Sequence, residues 1–286
     1  MTRISEIFHR ARQDRRGLVL PFLTAGYPSL EVLPALIQAM ERAGAGAVEI
    51  GIPFSDPIAD GPVIAASMHE ALTHGVTPQA IFQRMARDSQ ATRGAGQGTG
   101  QARTAVGLIA MVSVSIVERA GEQRFVDDVA AAGMDGLIVP DADLERTGDI
   151  VAACDRHGLS CSFLVAPTST PERIRTIVRQ SRGFVYLLAR AGVTGERNAA
   201  PAVAGEFERQ VERIRQCDPA MPIAAGFGIT TPDHVQAVLR HVDGAIVGSA
   251  LVRRMSDAVR DGRDPVADAE AFVGSLVAAA DAAMRA

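Results

Sequence analysis

The sequence contains no lysine, and all 29 of its basic residues are arginines. Aldolases that form a Schiff base need a lysine amine as the nucleophile, and so do enzymes that attach pyridoxal phosphate covalently. The absence of lysine therefore excludes both kinds of covalent chemistry.

Paired cysteines, net positive charge and long apolar runs are absent as well. Cys154, Cys161 and Cys217 form neither a CxxC pair nor a His/Cys metal-ligand spacing, so we expect free thiols, a reducing compartment and no metal. A formal net charge of −4 argues against a nucleic-acid surface, which needs a basic field. No apolar run spans a membrane, and Glu6 and Asp14 argue against a transit peptide. We expect a cytoplasmic protein that binds neither nucleic acid nor membrane.

Short apolar runs alternate with amphipathic segments along the chain. The runs predict strands over residues 18–23, 47–50, 105–110, 136–139, 160–165, 184–188, 223–225 and 245–247. The amphipathic segments predict helices over residues 30–42, 79–87, 123–132, 171–180, 206–217 and 232–241. This alternation indicates a parallel sheet covered by helices, and eight such units in about 250 residues match an α/β fold of the (β/α)8 TIM-barrel type. An open doubly wound sheet is the alternative, but no G-x-G-x-x-G follows the first strand.

We expect a single domain over residues 1–286. Residues 1–16 predict an N-terminal packing helix through Ile4, Ile7 and Phe8, and the segment from Pro265 predicts the last helix of the barrel. Residues 89–103 are rich in glycine, glutamine and alanine, which is typical of a flexible insertion. This insertion lies between a helix and a strand, hence on the N-terminal face of the barrel.

Two acidic residues stand where a barrel of this kind carries its chemistry, at the C-terminal ends of the strands. Glu49 ends the second strand, and Asp60 follows in the next loop. Partial shielding from water raises the pKa of Glu49 toward the range of a general acid or base. The alternative is that Glu49 caps a helix or pairs with an arginine.

Glycine clusters follow strands seven and eight, at residues 225–229 and 247–250. These two loops commonly bind phosphate in TIM barrels, because glycine lets backbone N–H groups approach the oxygens, and Ser249 adds a hydroxyl donor. Ordinary tight turns are the alternative. The long segment over residues 189–205, after strand six, predicts an active-site lid.

The stretch GIPFSDPIADGP, residues 51–62, closely resembles the signature of the tryptophan synthase α subunit family. The resemblance continues in the same order and spacing through residues 21–29, 166–174, 182–197, 226–230 and 247–252. It implies retro-aldol cleavage of indole-3-glycerol phosphate to indole and glyceraldehyde 3-phosphate. Because the protonated indole ring serves as the electron sink, the resemblance implies no metal and no cofactor.

The resemblance also implies a role for individual residues. Glu49 matches the catalytic glutamate that shuttles protons, and Asp60 matches the aspartate that stabilises positive charge at the indole N–H. Phe22 and Ile64 would line the indole pocket, or they are plain core residues. The other implied contacts are Tyr186 at the glycerol end, Gly192, Gly228, Gly248 and Ser249 at the phosphate, Phe227 over the ring, and Thr194 in a lid that closes onto Asp60.

The family's partner is a β subunit in an α2β2 complex. Two loops of this chain differ from the family pattern, so the sequence does not decide whether this chain binds a β subunit. Residues 110–114 lack the Tyr and Asn usual in the family, and residues 141–143 lack its Asp-x-Pro. A stand-alone lyase that releases free indole is one alternative. A non-catalytic activator that binds a phosphate ligand is another, although Glu49, Asp60 and the lid threonine argue against it, and an unrelated phosphate-binding barrel is a third.

Overall fold

A computed structural model describes residues 1–56, 61–94, 105–188, 201–226 and 228–283. Within these residues the strands are β1 (Leu18–Thr24), β2 (Ala47–Gly51), β3 (Gly107–Met111), β4 (Gly136–Ile138), β5 (Ser160–Ser162), β6 (Leu164–Val165), β7 (Val185–Leu188), β8 (Ile223–Gly226) and β9 (Gly244–Val247). All of them pair in parallel, in the order β5-β4-β3-β2-β1-β9-β8-β7-β6.

The strands β5 and β6 at the two ends of this order are separated in the chain by Phe163 alone. They are two parts of one interrupted strand, so the sheet curls into a barrel with eight strand positions. This confirms the predicted TIM barrel. The single strand predicted over residues 160–165 was wrong in one respect, because the strand is broken at Phe163.

Helices follow the strands and cover the outside of the barrel. Among the described residues they are α1 (Arg3–Gln13), α2 (Leu33–Arg42), α3 (Gly61–Thr73), α4 (Pro78–Gly94), α5 (Val114–Ala120), α6 (Glu122–Ala131), α7 (Gly148–His157), α8 (Pro171–Gln180), α9 (Pro201–Cys217), α10 (Pro232–Leu239), α11 (Ser249–Arg260) and α12 (Pro265–Ala283). The predicted last helix is α12, which contacts α2, α10 and α11. None of the described helices is long and apolar enough to cross a membrane.

The predicted insertion over residues 89–103 begins within a helix. α4 extends to Gly94, so residues 89–94 are helical. The remainder of the insertion, residues 95–103, lies outside the described residues.

The helix α1 lies at the N-terminal end of the barrel, within the segment for which a packing helix was predicted. Ile4 and Phe8 are fully buried against side chains of the barrel interior, and the Phe8 and Phe184 ring centroids are 5.3 Å apart. Arg3 donates to Asp135 at 2.8 Å, just before β4. Because these contacts lie at the starts of strands, the opposite end of the barrel is left for chemistry.

Side chains inside the barrel form layers, each with residues from alternate strands. The register of the paired strands assigns residues to two adjacent layers. The first layer contains Leu20, Ile109, Ser162 and Ala224, and the second, closer to the C-terminal ends, contains Glu49, Ile138, Tyr186 and Ile246. Apart from Ser162 and Glu49, all of these residues pack in one interior cluster.

Candidate active site

Glu49 is the acidic residue of the second layer, and its side chain points into the barrel. Its register partners are Phe22 on β1 and Ile109 on β3, and Ile109 packs in the interior cluster. Only 1 % of Glu49 is exposed. The position agrees with the sequence prediction that Glu49 faces the site from the end of the second strand.

The carboxyl group of Glu49 is chemically isolated. Within the described part of the chain, neither of its oxygens has a hydrogen-bond partner. The described residues therefore do not support the alternative in which Glu49 caps a helix or pairs with an arginine. Burial disfavours the charged form and raises the pKa of Glu49 to about 8. Glu49 is thus mostly a neutral acid at neutral pH, with a proton to donate.

Phe22, Ile64 and Gly248 converge beside Glu49. The ring of Phe22 lies over Gly51, where a Cβ atom would come within 2.3 Å of the ring. A Cβ on Gly248 would lie 3.3 Å from Ile64 Cδ1 and 3.7 Å from Phe22 Cβ. Glycine at these two positions leaves room for an apolar wall made of Phe22 and Ile64. The structure thus brings the two predicted indole contacts together at one edge of a predicted phosphate loop.

A buried pair of hydroxyls holds the helix that carries Ile64. Thr24 Oγ1 and Ser67 Oγ are 2.7 Å apart, and Ser67 Oγ donates to the Ile64 carbonyl at 2.7 Å. Because the single Ser67 proton is directed at that carbonyl, Thr24 is the donor to Ser67. This link between β1 and α3 fixes the helix that begins directly after Asp60. Sequence reasoning missed it, although Ser67 is a polar residue at helical spacing from Ile64.

Tyr186 lies in the same layer as Glu49 and reaches the end of β8. A Cβ on Gly226 would come within 2.6 Å of the Tyr186 hydroxyl, so glycine there makes room for the ring. Tyr186 is 8 % exposed and packs in the interior cluster. Tyr186 thus lies beside the glycine that ends β8.

The two predicted phosphate loops follow the neighbouring strands β8 and β9. Gly228 has φ +61°, a left-handed conformation that favours glycine, and Gly248 is the N-cap of α11 with no side-chain cap. Ser249 is the first residue of this helix. The first N–H groups of a helix lack acceptors within the helix, and the helix dipole favours an anion there. The arrangement suits a phosphate group.

Four of the predicted site residues lie outside the described residues. They are Asp60, Gly192, Thr194 and Phe227. Their roles, like those of the placed residues, stay predictions.

The two loops that depart from the family pattern are joined to each other. Asp141 accepts from Ser113 Oγ at 2.7 Å and from the Val114 N–H at 2.8 Å. Ser113 is also the N-cap of α5. The loops after β3 and β4 thus form one hydrogen-bonded unit at the C-terminal face, which sequence reasoning did not find because the partners are 27 and 28 residues apart in the chain.

The sequence is similar to a known protein family and to individual members of it. The chain matches the family described as Tryptophan synthase alpha chain over residues 8–281. The Tryptophan synthase alpha chain of Solibacter usitatus is 40% identical over 253 residues, which are 88% of this chain and 89% of the relative. The protein of the same name from Rhodopirellula baltica is 38% identical and covers 99% of this chain and 100% of its own length.

Solved structures have the same fold as this chain over nearly its whole length. Mycobacterium tuberculosis tryptophan synthase contains a chain with 31% identity and a TM-score of 0.83, with 98% of both chains covered. Tryptophan synthase subunit alpha from Legionella pneumophila has 28% identity and a TM-score of 0.84, with 99% of both chains covered.

Proposed function

Because the chain belongs to the tryptophan synthase alpha chain family, and so cleaves indole-3-glycerol phosphate to indole and glyceraldehyde 3-phosphate, we propose that Glu49 moves the protons in this reaction. The observation that carries the proposal is a buried carboxyl inside the barrel whose pKa is raised to about 8 and whose oxygens have no partner among the described residues. A proton carrier in this lyase needs both protonation states within reach at neutral pH.

The proton moves in two steps. The neutral Glu49 acid first protonates indole C3, which leaves a positive charge on the ring nitrogen. The resulting carboxylate, which has no described partner to stabilise it, then takes the proton from the hydroxyl next to the ring. The bond between C3 and the glycerol carbon breaks, its electron pair neutralises the ring, and the hydroxyl carbon becomes the aldehyde. Glu49 ends the cycle protonated, as it began.

Other residues position the substrate around this proton transfer. The Asp60 carboxylate accepts from the indole N–H and stabilises the developing positive charge. Phe22 and Ile64 hold the ring, an assignment that their convergence at Gly248 supports. Tyr186 contacts the glycerol end. The remaining roles are those of Phe227 over the ring and of Thr194, in a lid that closes onto Asp60.

The phosphate group binds at Gly228, Gly248 and Ser249, together with Gly192 of the lid. The support is the N-terminus of α11, which has no side-chain cap, and a left-handed glycine in the loop after the neighbouring strand β8. Ser249→Ala is expected to weaken inhibition by glycerol 3-phosphate by at least about tenfold, since a hydrogen bond to a charged group contributes about 1.5–3 kcal/mol. The measurement is the inhibition constant against indole-3-glycerol phosphate, with Ser275→Ala in α12 as the control. Equal inhibition constants in wild type and Ser249→Ala would contradict this assignment.

We propose further that the chain depends less on a β subunit than its family usually does, and that it also turns over unaided and releases free indole. The observation that favours this is Asp141, whose carboxylate is engaged by Ser113 and Val114 of its own chain. Because the polar groups of the two loops are hydrogen-bonded to each other, fewer of them are left to bind a partner. A β subunit of the α2β2 type would then dock weakly and change the rate little.

Indole release by the purified chain tests this, with and without an added tryptophan synthase β subunit. We expect turnover in both arms and rates that differ by less than about tenfold, which is 1.4 kcal/mol. A tight complex that activates cleavage strongly would make the chain an ordinary partner of the β subunit. Release of indole in neither arm, with glycerol phosphate still bound, would favour the non-catalytic activator.

We place the protein in the cytoplasm, which its free cysteines support.

A further inference from the structure

Ser162 carries a buried hydroxyl that the proposed mechanism does not use. The residue is fully buried, and its Oγ has no hydrogen-bond partner among the described residues. Buried polar atoms in native proteins are nearly always paired, because an unpaired one loses its water without replacement. An unpaired hydroxyl in this position is free to bind a partner that the described residues do not supply.

The strand register directs this hydroxyl into the barrel. Ser162 on β5 pairs with Ile138 on β4, and Ile138 packs in the interior cluster. Its chain neighbours Cys161 and Phe163 pack instead in the cluster between the sheet and the outer helices. Ser162 is thus one of the four side chains in the layer directly below that of Glu49.

The other serine of the strand shows what an ordinary buried hydroxyl does here. Ser160 lies two residues closer to the N-terminal end, and its Oγ donates to the Asp135 carbonyl at 3.3 Å. Ser162 faces the apolar side chains Leu20, Ile109 and Ala224 of its own layer. It therefore presents a hydrogen-bonding group on the floor beneath the layer where Glu49 acts.

We propose that Ser162 is a specificity-determining residue that hydrogen-bonds a polar substituent on the six-membered ring of the substrate's indole. The chain would accordingly process indole-3-glycerol phosphates whose ring bears a hydroxyl group, as well as the unsubstituted compound. This inference rests on the proposed placement of the ring between Phe22, Ile64 and Glu49. A ring held there with its carbocyclic edge toward the next layer would direct a hydroxyl on that edge at Ser162, and two hydroxyl groups can each donate and accept.

The test uses the condensation of glyceraldehyde 3-phosphate with indole and with the hydroxyindoles substituted at each carbon of the six-membered ring. The measured quantity is kcat/KM for each hydroxyindole relative to indole, in wild type, Ser162→Ala and Ser162→Cys. Cysteine keeps the size of the side chain but is a poor hydrogen-bonding group, so it separates loss of the bond from gain of space. Ser160→Ala, in the same strand, is the matched control.

For at least one hydroxyindole we expect both Ser162 variants to lower the ratio by roughly two- to tenfold, the range of one neutral hydrogen bond. Activity with indole itself, measured for each variant, is the reference for its ratio. Ser160→Ala should leave the ratio as in wild type. Thermal unfolding of Ser162→Ala at or above the wild-type temperature would show that no protein partner was lost.

An unchanged ratio in both Ser162 variants would overturn the inference, and so would a crystal structure with a water molecule that satisfies Ser162 while a hydroxyindole is bound. Neither result touches the assignment of Glu49, which depends on turnover of unsubstituted substrate. Conversely, if Glu49→Gln retained full activity with indole, the proposed mechanism would fail while the ratio at Ser162 could still change. The two failures are therefore distinguishable.

Discussion

Glu49→Gln is expected to lower the rate of indole release by at least about 10²-fold, the lower end of what general acid–base catalysis contributes. The amide keeps the volume and shape of the carboxyl, so the barrel interior stays packed. It has no proton of suitable acidity to give to indole C3, and it cannot accept the proton of the neighbouring hydroxyl. The measurement is steady-state cleavage of indole-3-glycerol phosphate at pH 7.5, with circular dichroism to confirm folding.

Glu70→Gln is the matched control for this experiment. Glu70 is an exposed residue of α3, and its change to glutamine makes the same substitution at the surface. Its activity should equal that of wild type. If Glu49→Gln retained more than a tenth of wild-type activity, another group would have to carry the proton, and the raised pKa of Glu49 would need a different explanation.

The strands could be predicted because each lies in a mostly apolar run that is buried on both faces. All eight predicted runs coincide with observed strands to within two residues at each end. The break at Phe163 could not be predicted, since the run SCSFLV has no interruption. At the break, Phe163 is hydrogen-bonded to residues from distant parts of the chain. Its N–H donates to Ser181 Oγ at 3.4 Å, and its carbonyl accepts from the Tyr186 N–H.

Among the four helices that no prediction named, α5 begins with the Ser113 cap, whereas the other three have no clear start signal. α11 begins after Gly248, which has no side chain to cap it, and its glycine cluster predicts a phosphate loop instead. α7 follows Thr147, whose hydroxyl donates to the Leu144 carbonyl rather than capping the helix. The helix α3 begins at Gly61, and its apolar residues show little periodicity. In each case packing against the barrel, not local sequence, determines the helix.

Some features of the candidate site follow from local sequence, and others depend on contacts between residues far apart in the chain. The position of Glu49 follows from its place in a strand, and so does its burial. That both of its oxygens lack a described partner depends on side chains from several other strands. The contacts of Asp141 with Ser113, and of Thr24 with Ser67, join residues 28 and 43 positions apart. No local pattern could have shown them.

The second large effect concerns stability: wild type should lose stability relative to Glu49→Gln as the pH rises from about 5 to about 8. The pKa of Glu49 is about 8 in the folded protein and near its ordinary value of 4.5 in the unfolded chain. Between these values the folded state holds a proton that the unfolded state has released. Stability then falls as pH rises, and the loss is complete above the folded pKa. Below pH 4.5 both states are protonated and the effect vanishes.

The size of this effect follows from the same two values. They differ by about 3.5 units, and one unit corresponds to 1.36 kcal/mol, so the carboxylate destabilises the folded state by at most about 5 kcal/mol above pH 8. Glutamine carries no charge at any of these pH values. The variant that abolishes activity is therefore expected to be more stable than wild type in alkaline buffer, which is the pattern of a residue retained for chemistry.

Guanidinium unfolding of wild type and Glu49→Gln at pH 5.5 and pH 8.5 measures the prediction. The two proteins share every other titrating group, so the difference between their free energies of unfolding isolates Glu49. We expect a small difference at pH 5.5 and, at pH 8.5, several kcal/mol in favour of the glutamine variant. Glu70→Gln should follow wild type at both values. A difference that stays constant between the two pH values would mean that Glu49 has a partner in solution that stabilises its charge, and the neutral acid needed to protonate indole C3 would then be scarce at neutral pH.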